Sequence, residues 1–343
     1  MSLLQKIVEI ESFSGQEAQL AQFLHAELSQ EQWGFKTEID AVGNLIARIG
    51  HGPKHIFLVG HMDTVPGRIP VRVENEKLYG RGSVDAKGCL ANFIECAKYF
   101  KASTKLTLTV IGCVCEESDS RGARFLLAQK YQPDWVVIGE PSGWEAITLG
   151  YKGSIRIEYE LSRSMTHRGH EAPTAPEEAF QFFSELKSKY SSGKTEFSSV
   201  DVNLVSINTT SDGLSESAKM IFDVRTPLDF DFSQLKAFLE EHKDTASVEH
   251  SSETPAFRSD KNNALVRALL KGIRASEGQP KFKVKTGTSD MNLLGPVWKV
   301  PILAYGPGDS SLDHTPNEHL DLAEYERSQR ILTLALQVLA QQL

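Results

Sequence analysis

The apolar positions of this chain recur with more than one period, and the changes of period divide it into three stretches. In the first, residues 1–11 read as an amphipathic helix. Leu20, Phe23, Leu24 and Leu28 then recur at helical spacing behind Ser14-x-x-Glu17, the pattern of a capping box. Short apolar runs over 44–49, 56–60, 106–114 and 135–138 predict strands, and helices are predicted over 91–100 and 123–129. Near-continuous apolar strands alternating with helices predict an α/β fold, a mixed or parallel sheet covered on both faces.

The texture changes near Tyr151. Residues 154–161 (Ser-Ile-Arg-Ile-Glu-Tyr-Glu-Leu) alternate apolar and polar, as a half-exposed strand does. Thr174-x-x-Glu177, with Pro176 in the first turn, caps a helix bearing Phe180, Phe183 and Leu186. Strands over 200–207 and 218–225, a helix over 232–241 and a closing strand near Val248 give the element order of a ferredoxin-like α+β module. From about Asn262 the first texture returns, with a helix over 264–275, strands over 282–285 and 300–304, and a long helix over 322–339. The expected organisation is a larger domain made of 1–151 and 258–343, with a smaller domain, 152–257, inserted into it.

Composition narrows the function classes only a little. The 343 residues suffice for two domains, and 40 % hydrophobic with 24 % charged residues is an ordinary soluble mix. A formal net charge of −8 argues against a nucleic-acid binder, which carries a basic face. The start of the chain does not read as a secretory leader, and no apolar run reaches the roughly 18–20 residues that span a bilayer. A cytoplasmic protein without a membrane partner is expected. Cys89, Cys96, Cys113 and Cys115 have neither zinc nor disulfide spacing and read as reduced, buried thiols.

The chemistry lies where the predicted strands end, the place where open α/β sheets hold ligands. His61-Met62-Asp63 closes the run 56–60, Glu116-Glu117 closes 106–114, and Glu140 follows 135–138. Asp85 follows the turn Gly80-Arg81-Gly82, and His314 lies in Leu312-Asp313-His314-Thr315-Pro316-Asn317-Glu318. Neutral imidazole and carboxylates suit zinc or cobalt, and a bridging carboxylate lets two metals sit about 3.5–4 Å apart. Asp63 is placed to orient the His61 imidazole, and Glu116 to act as a general base toward water. Each residue also has an ordinary reading: Asp85 as a helix N-cap, the Glu pair as a solvated face, His314 in a turn. Jointly those readings fail, because such a cluster of charge on one sheet edge is costly without metal. The Gly80-Arg81-Gly82 turn lacks the phosphate-loop patterns.

In its order and flanks, the series His61-x-Asp63, Asp85, Glu116-Glu117, Glu140 and His314 resembles the M20 family of di-zinc metallopeptidases and amidohydrolases. The resemblance runs the length of the chain, inserted domain included. It implies a zinc-exopeptidase-like catalytic domain with two Zn2+ per subunit, Co2+ being a substitute. Asp85 would bridge them, His61 and Glu140 would complete one site, and Glu117 and His314 the other. Glu116 would take a proton from water and pass it to the leaving amine. The inserted domain would be a lid and the surface of a homodimer. His167, in Ser164-Met165-Thr166-His167-Arg168-Gly169, would help hold the tetrahedral oxyanion of a neighbouring active site.

Arg225 in Asp223-Val224-Arg225 and Arg258 at the domain junction are candidates for a substrate carboxylate, since Arg binds carboxylates bidentately; each also fits an ordinary surface or linker position. Thr286-Gly287-Thr288-Ser289-Asp290-Met291-Asn292 reads as a turn with Ser289 as an N-cap. By the resemblance it lies beside the substrate, with Asp290 available for an amine. That string, with Gly82-Ser83-Val84-Asp85-Ala86-Lys87-Gly88, is most similar to the branch acting on the acidic amino-group carrier protein LysW. Those enzymes release lysine or ornithine from it by isopeptide hydrolysis, in lysine and arginine biosynthesis. The family's Asn-x-x-Pro is replaced here by Asp212-Gly213-Leu214-Ser215, and Asn208 is the candidate substitute. Arg156, Arg163, Arg168 and Lys187 would then supply a basic docking patch. The alternative substrate is a free N-acetyl-ornithine or N-acetyl-lysine, or a dipeptide.

Overall fold

The computed structural model describes residues 1–165 and 172–342 and divides into two compact units. Unit 1 comprises Met1–Gly150, Ser259–Val284 and Ser289–Leu343; unit 2 comprises Tyr151–Arg258 and Lys285–Thr288. The segment 285–288, expected in the larger domain, thus belongs to the smaller one. There Lys152 N donates to Lys285 O (3.1 Å) and Thr288 Oγ1 donates to Lys152 O (3.2 Å).

In chain order the first part of unit 1 carries α1 (Leu3–Glu9), α2 (Ala18–Leu28), β1 (Lys36–Ile39), β2 (Leu45–Gly50), β3 (Lys54–His61), β4 (Arg72–Glu74) and β5 (Lys77–Tyr79). It continues with α3 (Lys87–Ala97), β6 (Leu106–Cys113), α4 (Arg121–Ala128), β7 (Trp135–Ile138) and β8 (Ala146–Tyr151). Unit 2 carries β9 (Gly153–Ser164), α5 (Ala175–Tyr190), β10 (Asp201–Ser211), β11 (Ser215–Thr226), α6 (Phe232–His242), β12 (Ser247–Thr254) and β13 (Phe257–Arg258). The chain returns with α7 (Ala264–Ala275), β14 (Lys281–Lys285), α8 (Asp290–Trp298), β15 (Ile302–Ala304), β16 (His319–Asp321) and α9 (Leu322–Gln341).

The main sheet of unit 1 runs β1-β2-β6-β3-β7-β15-β8. Its centre is parallel, β3 pairing with β6 and β7, and β15 with β7. Every residue of β6 is buried, as a strand covered on both faces requires. One contiguous core, including Ile7, Leu24, Phe93, Val110, Leu269 and Leu332, gathers the helices around this sheet. Helix α8 was not legible, because Gly and hydroxyl residues precede it and Pro296 lies inside it. Ser289 starts it by accepting from Met291 N (3.2 Å).

Unit 2 has the sheet order β10-β11-β9-β12, antiparallel throughout, which is the ferredoxin-like order expected. Phe182 and Leu186 of α5 and Leu235 and Leu239 of α6 cover Ile155, Ile157, Phe222 and Val224 on one face. The Thr174–Glu177 capping box forms. Its outer strands in sequence, β9 and β12, pair Ser154 with Thr254, so the ends of the module lie together, as an insertion needs.

Candidate metal centre

Three parallel strands deliver candidate ligands to one edge of the unit 1 sheet. His61 ends β3, Glu116 and Glu117 follow β6, and Glu140 follows β7; the register sets His61 beside Cys113 and Val59 beside Ile138. Asp85 precedes α3, whose N-cap is Ala86, so Asp85 is not the cap; the peptide joining the two is cis. His314 comes from the loop before β16, in the left-handed region with φ +61°.

The Asp85 carboxylate faces one imidazole with each oxygen. Oδ1 is 3.2 Å from His61 Nε2, and Oδ2 is 3.1 Å from His314 Nε2. Glu117 Oε1 lies 2.9 Å from His314 Nε2, and Glu140 Oε1 lies 4.0 Å from His61 Nε2. Nitrogen and carboxylate donors grouped on either side of a shared carboxylate fit a pair of divalent cations. His61, Asp85 and Glu117 present ligand atoms all within 4.8 Å of one another.

Asp63 is fully buried and accepts three hydrogen bonds. The donors are Ser14 Oγ (2.7 Å), Glu116 N (3.0 Å) and Glu117 N (3.0 Å). His61 Nδ1 lies 2.9 Å from the Asp63 carbonyl and 3.4 Å from its carboxylate, which fixes the ring with Nε2 toward Asp85. The predicted capping box does not form. Glu17 caps nothing with its side chain; its Oε1 instead accepts from Gly15 N (2.9 Å) and Cys115 N (3.0 Å), holding the left-handed Cys115 ahead of Glu116. Ser14 and Glu17 therefore orient the ligand loop, a role their local spacing disguised. Sequence reasoning also missed Glu318, which accepts from the amides of Val84 and Asp85.

Charge in the cluster is strongly mutual. Burial opposes ionisation of Asp85, yet His314 and His61 pull its pKa far below the usual carboxylate range. Burial likewise disfavours charged His61, but Asp63 and Asp85 raise it well above an ordinary imidazole. The carboxylates of Asp85 and Glu117 push His314 up to about 10. Burial, joined by the charges of Glu140, Asp290 and Glu117, pushes Glu116 well above the usual range. Glu117 is raised by burial and by Asp85.

Of the remaining expected residues, Asp290 lies close enough to the centre for its charge to help raise Glu116. Asp290 is 3 % exposed in unit 1, its pKa lifted to about 7 by burial and by nearby Asp63. Ser289 is buried as the α8 cap. In unit 2, Arg225 donates from Nε to Asp223 (2.6 Å) and from Nη1 to Thr288 Oγ1 (2.6 Å), while Asn208 lies exposed on β10 and Arg258 exposed on β13. Arg163 does not serve an open basic patch: Glu178 (2.6 Å) and Glu216 (3.1 Å) neutralise it. Arg156 sits 3.7 Å from Glu158, and Lys187 lies over the Phe183 ring. His167 and Arg168 lie outside the described residues.

Residues 57–338 match the peptidase family M20/M25/M40. The chain is 41 % identical, over 97 % of its length, to a LysW-lysine hydrolase of Deinococcus radiodurans, of which it covers 95 %. It is 29 % identical over 84 % of its length to a LysW-lysine/LysW-ornithine hydrolase of Saccharolobus islandicus, covering 83 % of that protein. Among solved structures, a tripeptidase of Staphylococcus aureus superposes with TM-score 0.82 at 17 % identity, covering 98 % of this chain and 97 % of that one. An M20 family metallo-carboxypeptidase of Sulfolobus solfataricus gives 0.79 at 18 %, covering 99 % and 98 %. At such identities the structural similarity speaks for the fold alone.

Metal loading is expected to release protons at pH 7. His314, with its pKa about 10, and the raised His61 are protonated in the metal-free protein, and an imidazole must be neutral to ligate. Apparent affinity for Zn2+ should therefore rise with pH toward about 10 and fall as pH falls. Titration calorimetry in buffers of different ionisation enthalpy reads the released protons; a buffer-independent heat would contradict this account.

Proposed function

We propose that this chain, which belongs to peptidase family M20/M25/M40, is a two-metal amidohydrolase that frees lysine, ornithine or both from the carrier protein LysW. The observation that carries the substrate assignment is the near full-length relationship to the Deinococcus LysW-lysine hydrolase. The proposed setting is the synthesis of lysine and arginine in the cytoplasm, a compartment with which four buried cysteines outside any disulfide agree.

His61 and Glu140 would hold one cation, Glu117 and His314 the other, with Asp85 between them. Bound there, zinc or cobalt would supply Lewis acidity to the amide carbonyl and to the attacking water. Glu116 is the general base: its carboxylate takes a proton from water and hands it to the leaving amine nitrogen. The burial and neighbouring carboxylates that raise its proton affinity suit it to hold that proton between the two transfers. Asp63 keeps His61 in the ligating orientation. His167 would stabilise the oxyanion in a neighbouring subunit.

Unit 2 would act as lid and dimerisation module. A cavity of about 480 Å3 in it is lined by Arg225, Lys187, Asn203 and Thr286 among others, and Arg225 there would hold a substrate carboxylate. The dimer is proposed to form along β10, an edge strand whose residues 203–211 carry no charge and expose Val205 and Ile207. Monomers normally protect such edges with charge or Pro.

Three outcomes are expected. Ninhydrin-detected release by the zinc-loaded protein should favour LysW-γ-lysine or LysW-γ-ornithine over N-acetyl-lysine and N-acetyl-ornithine; better turnover of the acetylated amino acids would overturn the carrier assignment. Glu116→Gln should retain two zinc ions while kcat falls by about 10²–10⁴-fold; unchanged kcat would remove Glu116 as the base. Ile207→Lys should convert a dimer to a monomer in light scattering with its circular dichroism intact. A wild-type monomer would refute the β10 interface.

A further inference from the structure

The loop carrying Glu116 and Glu117 is held by Asp63 and Glu17; the loops carrying Asp85 and His314 are held by a different pair. Glu318 is completely buried and lies four residues after His314. Its Oε1 accepts from Val84 N (3.0 Å) and Asp85 N (3.1 Å), and its Oε2 accepts from Arg81 Nη1 (2.8 Å). Arg81, only 12 % exposed, also donates from Nη1 to Thr315 O (3.2 Å) and from Nε to Gly67 O (3.0 Å). One ion pair therefore touches the segment after His61 and Asp63, the segment before Asp85, and the segment of His314.

We propose that the Arg81–Glu318 pair is a positioning latch that sets the Asp85 carboxylate between the two imidazoles, and so decides whether the centre holds two cations or one. This rests on the two-metal reading of the centre. A buried ion pair contributes little net stability compared with an apolar pair of similar volume, so its presence points to geometry. Charge-assisted bonds to two successive amides fix the backbone from which the Asp85 side chain departs. Its oxygens lie 3.2 and 3.1 Å from different rings, so a drift of this loop breaks one contact or the other. Neither latch residue is a ligand; both act through Asp85.

The test uses the full chain. Zn2+ stoichiometry and affinity are measured against a competing chelator for wild type, Glu318→Ala, Glu318→Gln and Arg81→Lys. Amide exchange at Val84 and Asp85 is followed in the metal-free proteins. Glu318→Ala should speed that exchange and weaken one of two zinc ions by about 10–100-fold, the usual effect of removing a group behind a ligand. Its kcat should fall with KM near wild type. Glu318→Gln, which keeps an oxygen for the amides but meets Arg81 with a less favourable partner, should fall between. Thr174→Ala, which removes a helix cap in unit 2, should leave zinc binding unchanged. A folded Glu318→Ala that binds both zinc ions as wild type does overturns the latch; if it does not fold, Glu318→Gln and Arg81→Lys decide by the same criterion. If wild type itself takes up only one zinc, the two-metal reading fails, and the amide exchange alone decides the latch.

Discussion

The carboxylate of Asp63 is the constraint around which the centre is organised. It is shut off from water, so the protein must meet its lone pairs, and it does so with Ser14, with two successive backbone amides and with His61. These partners belong to three separate parts of the chain. Satisfying one buried charge therefore brings an N-terminal loop, the end of β3 and the turn after β6 into register together. Leaving that charge with a partner missing costs about 3–5 kcal/mol, a large share of a typical domain's stability. Alternative loop arrangements are suppressed accordingly.

The sheet does the coarse placement and the buried carboxylates the fine. Parallel neighbours β6, β3 and β7 end at one edge, which brings residues 61, 116, 117 and 140 close although nearly eighty positions separate the first from the last. Strands alone leave the loops free to turn. Asp63, Glu17 and Glu318 remove that freedom by accepting from main-chain amides, so each sets the backbone from which a ligand side chain projects. The candidate ligands then crowd so closely that carboxylates hold protons on the imidazoles, a balance that bound divalent cations would replace with their own charge.

Much of this was legible in sequence because it is written in local periodicity. The runs 56–60, 106–114 and 135–138 are β3, β6 and β7 to within a few residues, and the inserted module shows its strand and helix order by a change of period. The proposed ligand set suggested itself because each member closes such a run or stands in a loop with a distinctive flank. What escaped were partnerships across long separations. Ser14 and Glu17 have the spacing of a local cap, and the same oxygens serve residues fifty to a hundred positions away. Arg163 looks like free surface charge until the fold sets Glu178 and Glu216 against it. Strands β4, β5 and β16, three residues each, are too short for any period to emerge.

The order of the units along the chain also orders events in time. Residues up to 150 bring four of the five proposed ligands, unit 2 follows as a nearly contiguous module, and His314 arrives in the closing segment with α9, which packs on α3 and α7. During synthesis the N-terminal part emerges first and domains fold as units. The inserted module is thus almost whole while unit 1 still lacks α9, and the acidic cluster waits on one late imidazole. A message truncated between codons 289 and 313 encodes that whole module without His314.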